Sequence, residues 1–336
     1  MSFYYGSPGA LAQCGGARPE CIELAARAAA LEDAKEKAAL NKDIYDWYDP
    51  EIEAGPLPEG ITRMSTDPDA MREFLGDRSL TDSDIENLFE PDRIDPFSEK
   101  ATSYRAMLYR NETTKEMTLV FRGSTGTVGI SEDWIENYKQ GIGMKSEHFE
   151  RAKALANRIS LAADIEGADL TLSGHSKGGG MAGAAALSSG VPAITFNPSG
   201  VHKNTVPGVD LSKGPSLVTD YVVEGDMLNH TIQDNRNTIR RGAAAGAAGI
   251  GNSLAGPGGG VAGYTGTMYN TRDAIPQNVG ARIDLPDTTA APRWYDVPGH
   301  ASSAIGVPQH LMPAVTGGVE KEIETVRTMQ RNLGCP

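Results

Sequence analysis

The chain has 336 residues, which is enough for one large α/β domain with additions or for two ordinary domains. Its 44 acidic and 31 basic side chains give a formal net charge of −13 at pH 7. This charge repels phosphate backbones, so nucleic acid is not an expected partner. The three cysteines lack metal-ligand spacing, and we expect no metal and no cofactor. Cys14 and Cys21 could close a small loop, or both could remain free thiols.

The first 100 residues predict a region of helix and loops that packs on a core. Residues 1–13 lack a basic start followed by a long apolar run, which predicts synthesis in the cytoplasm without a signal peptide. Apolar residues at helical spacing predict an amphipathic helix over 19–47. The Pro- and Asp-rich residues 48–100 predict loops and short helices. We therefore expect an N-terminal region over 1–100 and a core domain over 101–336.

From residue 104 onward the pattern predicts strands that alternate with helices. Such an alternation is typical of a mostly parallel sheet covered by helices, which is the α/β class. In chain order the predicted elements are a hairpin of strands over 104–109 and 117–121, a helix over 146–163, a strand over 170–174, a helix over 181–187, strands over 193–196 and 217–224, and a final helix over 319–333.

A segment rich in glycine and alanine, residues 242–266, interrupts this alternation and predicts an insertion over about 236–270. Its low complexity predicts flexibility. The alternatives are a tight packing of small-residue helices or a hairpin that touches a membrane. The segment is too poor in Leu, Ile and Phe to predict a spanning helix.

The stretch LTLSGHSKGGGM over 170–181 carries the most specific motif. A P-loop requires the lysine directly after the second glycine of its pattern, and here Lys177 follows Ser176 instead. A dinucleotide-binding G-x-G-x-x-G is also absent. The residues 174–178 do form G-x-S-x-G between an apolar strand and a helix of small residues. This context predicts a sharp turn that exposes Ser176 as a nucleophile at a helix N-terminus.

Together with VFRGST over 120–125 and DWI over 133–135, this motif resembles the class 3 lipases. The resemblance implies an α/β-hydrolase fold with a mostly parallel central sheet. It also implies an oxyanion hole in which Ser124 is one donor and the backbone N–H of Lys177 is the other. We expect the loop 125–135 to form a lid in which Trp134 anchors the protein at an interface.

The order of an α/β-hydrolase triad is Ser, then an acid, then His. Asp226 follows a predicted strand and is the expected acid, with Glu224 as the second choice and Asp220 placed too early. The residues 308–313 resemble the end of lipase-like domains, which implies that His310 is the base, and His300 is the alternative. His175 is expected to pack behind the site, and the Lys177 side chain is expected to be exposed to solvent.

These residues predict a serine lipid-ester hydrolase, with a phospholipase A or lysophospholipase acting on membrane phospholipid favoured by the resemblance. The alternatives are a triacylglycerol lipase, a short-chain esterase, a thioesterase or acyltransferase, and a non-enzymatic protein whose Gly/Ala-rich segment perturbs membranes. The residues DIYDWYDPEIEAGPLPEGITR over 43–63 also resemble antibacterial effectors of type VI or related secretion systems. That resemblance implies delivery to the periplasm of a target cell, a secretion adaptor or spike protein, and an immunity protein.

Overall fold

The computed structural model describes residues 18–91, 103–125, 132–234, 276–290 and 307–335, together with isolated positions between 236 and 253. Almost all of the Gly/Ala-rich segment lies outside these residues, and its properties stay a prediction. The described helices are α1 (Pro19–Trp47), α2 (Pro68–Phe74), α3 (Asp82–Phe89), α4 (Glu132–Gly141), α5 (Glu147–Glu166), α6 (Lys177–Ser189), α7 (Val307–His310) and α8 (Met312–Leu333). Short 3₁₀ turns occur at Met64–Thr66, Lys203–Thr205 and Leu211–Ser216, and a π-helical turn at Asn229–Gln233.

The described strands form one sheet in chain order: β1 (Ile61–Thr62), β2 (Ala106–Asn111), β3 (Met117–Phe121), β4 (Leu170–His175), β5 (Ala193–Phe196), β6 (Val218–Val223) and β7 (Ala281–Leu285). The pairs β1–β2 and β2–β3 are antiparallel, and every pair from β3 to β7 is parallel. The carboxyl ends of β3 to β6 therefore lie at one edge of the sheet, which is where parallel sheets hold their functional residues. The predicted α/β class with a mostly parallel sheet is confirmed.

Helices cover both faces of the sheet. Successive side chains of a strand point to opposite faces, and here both faces carry apolar side chains. Leu108, Leu119 and Leu172 belong to the apolar cluster that includes α5 and α6. Met107, Tyr109 and Val120 pack instead against Leu40 and Ile44 of α1. The last helix, α8, packs beside α1 on that same face. The predicted division at about residue 100 stays a prediction, although α1 packs on the sheet and β1 is one of its strands.

Strand β1 and helix α4 were missed by the sequence analysis, and helices α6 and α8 begin earlier than expected. Strand β1 pairs with β2 through only two residues, Ile61 and Thr62, which is too short for an alternating pattern to be visible. Helix α4 occupies part of the region expected to be loop. Helix α8 begins at Met312 rather than 319, since Ala314 and Val315 of its first turn are buried in the core. None of the described helices combines the length and the apolar character needed to cross a bilayer.

A disulfide joins Cys21 at the start of α1 to Cys335 just after α8. The expectation that Cys14 and Cys21 pair, or that Cys21 stays a free thiol, is therefore wrong. Cys14 itself lies outside the described residues. The cause is the antiparallel packing of α1 and α8, which brings together two cysteines that are 314 residues apart in the chain.

Reducing this disulfide should lower the free energy of unfolding by about 2–5 kcal/mol, because the reduced chain gains loop entropy when it unfolds. Urea denaturation with and without a reducing agent measures the change. A Cys335→Ser variant should behave like the reduced protein, whereas Cys14→Ser is the matched control and should match the wild type. A loss of stability in Cys14→Ser and none in Cys335→Ser would contradict the observed pairing.

Candidate active site

The turn between β4 and α6 places Ser176 in a backbone conformation that side-chain-bearing residues rarely adopt, with φ 57° and ψ −123°. The two motif glycines make this turn possible. A Cβ atom at Gly174 would lie 2.1 Å from the carbonyl oxygen of Gly178. A Cβ atom at Gly178 would lie 2.0 Å from the carbonyl oxygen of Phe121. Glycine is therefore required at both positions, and Ser176 is raised at the carboxyl edge of the sheet.

Three residues expected to act together are in contact at this edge. Ser176 Oγ lies 2.9 Å from His310 Nε2, and His310 Nδ1 lies 2.5 Å from Asp226 Oδ2. Asp226 is fully buried just beyond β6, and its Oδ1 accepts hydrogen bonds from the backbone N–H and the side-chain amide of Asn229, both at 2.7 Å. Burial alone would raise the pKa of Asp226, but His310 and these hydrogen bonds lower it below its ordinary value.

The backbone of His310 is held as firmly as its ring. Its carbonyl oxygen accepts from His175 Nε2 at 2.6 Å and from Asn197 Nδ2 at 3.2 Å. Asn197 directly follows β5, and its side-chain oxygen accepts from the backbone N–H of Val223 at 2.9 Å. The Tyr45 hydroxyl of α1 lies 3.0 Å from His175 Nδ1, to which it donates. Side chains from α1, β4 and the end of β5 thus position the segment that carries the base.

His175 is the neutral tautomer in this arrangement, with Nε2–H as donor and Nδ1 as acceptor. Burial lowers the pKa of His175 to about 3, and the neighbouring His310 adds to this effect. The expectation that His175 packs behind the site agrees with its contacts. Its motif position could have suggested a buried residue, but nothing in the sequence identified His310 as the residue it contacts.

The residues expected to form the oxyanion hole lie on either side of Ser176. Lys177 is the first residue of α6, where helix N–H groups lack partners within the helix. Ser124 follows Gly123, at which a Cβ atom would come within 3.3 Å of Ser176 Cβ. Ser124 Oγ accepts a hydrogen bond from Asn137 Nδ2 at 2.8 Å, so the hydroxyl keeps its own hydrogen to donate. Sequence reasoning missed Asn137 because α4 was not predicted.

The expectation that the Lys177 side chain is exposed is wrong. The side chain is buried, and its ammonium group pairs with Asp133 of α4 and lies 3.0 Å from His148 Nδ1 of α5. Burial alone would raise the pKa of Asp133, but Lys177 and the backbone N–H of Thr125 lower it. A lysine is usually exposed, so nothing in the sequence indicated this burial, which depends on partners in two other helices, Asp133 and His148.

The remaining candidates do not join this contact chain. Asp220 is buried within the sheet, where its carboxylate accepts from Thr195 Oγ1 at 2.6 Å and from the Gly280 N–H at 2.9 Å, and burial raises its pKa to about 6. Glu224 is exposed at the end of β6. His300, the alternative base, lies outside the described residues. The assignment of catalytic roles therefore stays a prediction, now with a geometry for Ser176, Asp226 and His310.

The sheet, the strained serine turn and the Ser–His–Asp contacts define a protein of the α/β-hydrolase fold. A family model described as Phospholipase-like, Tle-like phospholipase domain, matches residues 36–290. The chain belongs to this family.

A curated relative and a solved structure also resemble the chain. Extracellular phospholipase A1 of Serratia liquefaciens is 35% identical over 147 residues, which cover 41% of this chain and 43% of that protein. The match thus spans less than half of the relative. The second is M37 lipase, whose crystal structure matches 84% of this chain and 92% of the lipase chain with a TM-score of 0.44. The two sequences are 14% identical.

The neutral state of His175 predicts a pH dependence of stability. The unfolded chain protonates this residue near its ordinary pKa of 6.5, whereas the folded protein does so only near 3. The unfolded state therefore binds the extra proton between these values, and stability is lost as the pH falls. Between pH 6.5 and pH 4.5, His175 should lower the free energy of unfolding by about 2 kcal/mol. Urea denaturation across this range should show a steeper loss in the wild type than in His175→Gln; parallel profiles would contradict the assignment.

Proposed function

We propose that the protein is a serine carboxylic-ester hydrolase in which Ser176, His310 and Asp226 form the triad. The contact of Ser176 Oγ with His310 Nε2, together with that of His310 Nδ1 with Asp226, is the observation that carries this proposal. His310 takes the proton of Ser176 as Oγ attacks the acyl carbonyl, and it then returns the proton to the leaving alcohol. Asp226 holds the required tautomer and stabilises the imidazolium that forms. A water molecule then takes the place of the alcohol and attacks the acyl-enzyme while His310 accepts its proton. The proton returns to Ser176 Oγ as the fatty acid is released.

The negative charge that develops on the carbonyl oxygen requires hydrogen-bond donors fixed in advance. We assign these donors to the backbone N–H of Lys177 and to the Ser124 hydroxyl. The N-terminus of α6 adds a favourable dipole at the same place. The contact from Asn137 supports the Ser124 assignment, because it occupies a lone pair of Oγ and leaves the O–H to point at the substrate.

The substrate we propose is a membrane phospholipid, cleaved by phospholipase A or lysophospholipase activity. The family description supports a phospholipid, as does the name of the Serratia relative. A triacylglycerol lipase, a short-chain esterase or a thioesterase would use the same triad. A non-enzymatic, membrane-perturbing protein is the alternative that would not need Ser176.

We also propose that the protein is an antibacterial effector that acts in the periplasm of a target cell. The residues 43–63 support this by their resemblance to secreted effectors, and the extracellular location in the relative's name is consistent with export. This role implies a secretion adaptor or spike protein and an immunity protein in the producing cell.

Helix α4 is the element we propose as the lid over the site. Its Asn137 contacts Ser124, so the helix lies at the mouth of the oxyanion hole. Ile135 and Tyr138 lie on one face of the helix and Ile142 directly follows its end, and these side chains remain 45%, 68% and 49% exposed. An apolar face exposed beside a lipid-hydrolysing site fits contact with a bilayer surface. Residues 126–131 and the side chain of Trp134 lie outside the described part of the loop.

Replacing Ser176 by Ala should lower phospholipid hydrolysis more than about 10⁴-fold, because the covalent step is lost. Mass spectrometry of products from mixed bacterial phospholipids measures it and identifies the bond that is cleaved. His310→Ala and Asp226→Asn should each lower the rate by at least about 10³-fold.

The control variant is His300→Ala, which should retain the wild-type rate. Loss of activity in His300→Ala with activity retained in His310→Ala would overturn the base assignment. Wild-type protein targeted to the bacterial periplasm should stop growth, and the Ser176→Ala variant should not. Equal toxicity of the two proteins would favour the non-enzymatic alternative.

A Tyr138→Asp variant should lower hydrolysis of phospholipid vesicles at least about 10-fold, because a carboxylate resists entry into the lipid interface. Hydrolysis of a soluble short-chain ester should change less than about twofold, since Tyr138 does not contact the triad. Leu161→Asp is the matched control: Leu161 is 64% exposed on α5, near the opposite edge of the sheet, and its replacement should alter neither rate. Equal losses on both substrates in Tyr138→Asp would contradict the lid proposal.

A further inference from the structure

The side chain of Lys177 is a buried cation next to Ser176, and the triad does not use it. Only 1% of this side chain is exposed. Burying an ammonium group is costly unless charged or polar partners replace its water. Lys177 follows Ser176 directly, so any group that fixes its side chain also constrains the first turn of α6. The partners of the ammonium therefore indicate what this lysine does.

The principal partner is Asp133, whose two carboxylate oxygens contact different parts of the protein. Oδ1 pairs with the Lys177 ammonium and accepts from Ser103 Oγ at 2.9 Å. Oδ2 accepts from the backbone N–H of Thr125 at 2.8 Å and from the Thr125 hydroxyl at 3.2 Å. Asp133 thus connects the lysine to the loop that carries Ser124, one residue before Thr125.

The second partner fixes the direction of the ammonium group. His148 Nδ1 accepts from Lys177 Nζ at 3.0 Å, and His148 Nε2 donates to Glu132 Oε1 at 3.1 Å. The other carboxylate oxygen of Glu132 accepts from the backbone N–H of Ser103 at 2.6 Å. The lysine is therefore held by α5 on one side and by the start of α4 on the other.

We propose that Lys177 is a positioning residue that sets the spacing between the two oxyanion donors. Its own backbone N–H is one donor, and its ammonium group, through Asp133 and Thr125, holds the loop that presents the other donor, Ser124. A single residue thus links both halves of the hole. This inference rests on the proposed ester hydrolysis, because it assigns a role within that reaction.

The alternative is an ordinary buried ion pair that stabilises the fold and nothing else. Such a pair can often be replaced by apolar residues of similar volume without loss of stability. The two explanations therefore differ in what happens to activity after such a replacement. If the ion pair only stabilises the fold, the folded variant should have the kcat of the wild type. If Lys177 has a positioning role, kcat of the folded variant should stay low because Thr125 has lost its acceptor.

The first test is the double variant Lys177→Met with Asp133→Leu, which removes both charges, keeps the backbone N–H of residue 177 and approximates the side-chain volumes. We expect a melting temperature below that of the wild type, because Ser103 and Thr125 lose the acceptor of their hydrogen bonds. We expect kcat on a soluble ester to fall about 100-fold with KM within about threefold, as for the loss of an oxyanion donor. Affinity for a phenylboronic acid, which forms a tetrahedral adduct on Ser176, should fall by a similar factor because the adduct uses the same hole.

The second variant, Lys177→Gln, keeps a donor toward Asp133 without the charge and provides the test if the double variant does not fold. Its kcat and boronic acid affinity should each fall about 10-fold, since a neutral hydrogen bond is weaker than a charged one. Rates are divided by the fraction of Ser176 that reacts to completion with a fluorophosphonate, so that unfolded protein does not enter the comparison. A lower melting temperature with kcat and boronic acid affinity within twofold of the wild type would overturn the proposal.

The matched control is Lys37→Met on α1. Lys37 is also a buried lysine, and it pairs with Asp33 and Glu36 rather than with the oxyanion loop. This variant should lose stability without a change in kcat or boronic acid affinity. Wild type and Ser176→Ala are assayed alongside. Absence of ester hydrolysis in the wild type would refute the proposed function, whereas an active wild type with unaffected Lys177 variants would refute only the positioning role.

Discussion

The turn between β4 and α6 is the constraint on which the site depends. Ser176 has a positive φ, and the backbone on either side of it leaves no space for a Cβ atom at Gly174 or Gly178. The strand, the helix and the end of β3 are thereby brought within contact distance of one another. Such strain persists only where the surrounding structure determines it, and here the parallel neighbours of β4 and the buried small residues of α6 provide that support.

His310 is held in place mainly through its main chain, whereas its ring makes the contacts of the triad. The carbonyl oxygen of His310 is held by His175 and Asn197, while its ring contacts Ser176 and Asp226. Because the carbonyl contacts come from the ends of β4 and β5, the sheet itself defines where α7 ends. The ring then needs only one further contact, with Asp226, to be oriented.

Local patterns were enough to predict the strands β2 to β6 and the serine turn, because strands and turns follow from neighbouring residues. Asp226 and His310 were chosen by the order of an α/β-hydrolase triad and by the resemblance to class 3 lipases. Three features depended on contacts between distant segments and were not predicted correctly. Helix α4 presents its apolar face to solvent, so its pattern did not indicate burial in a core. The burial of Lys177 depends on Asp133, and the pairing of Cys21 depends on the antiparallel packing of α1 and α8. The catalytic roles of the site residues stay predictions.

The bond between Cys21 and Cys335 also changes the topology of the molecule. It closes residues 21–335 into a covalent ring that contains the whole described sheet and the site. A single cut by a protease anywhere in that ring leaves the two pieces joined, so they remain at a high effective concentration and are not lost by diffusion. In the oxidised protein a nick at an exposed turn, such as the one at 112–115, therefore need not separate α1, β1 and β2 from the strands that hold Ser176 and Asp226.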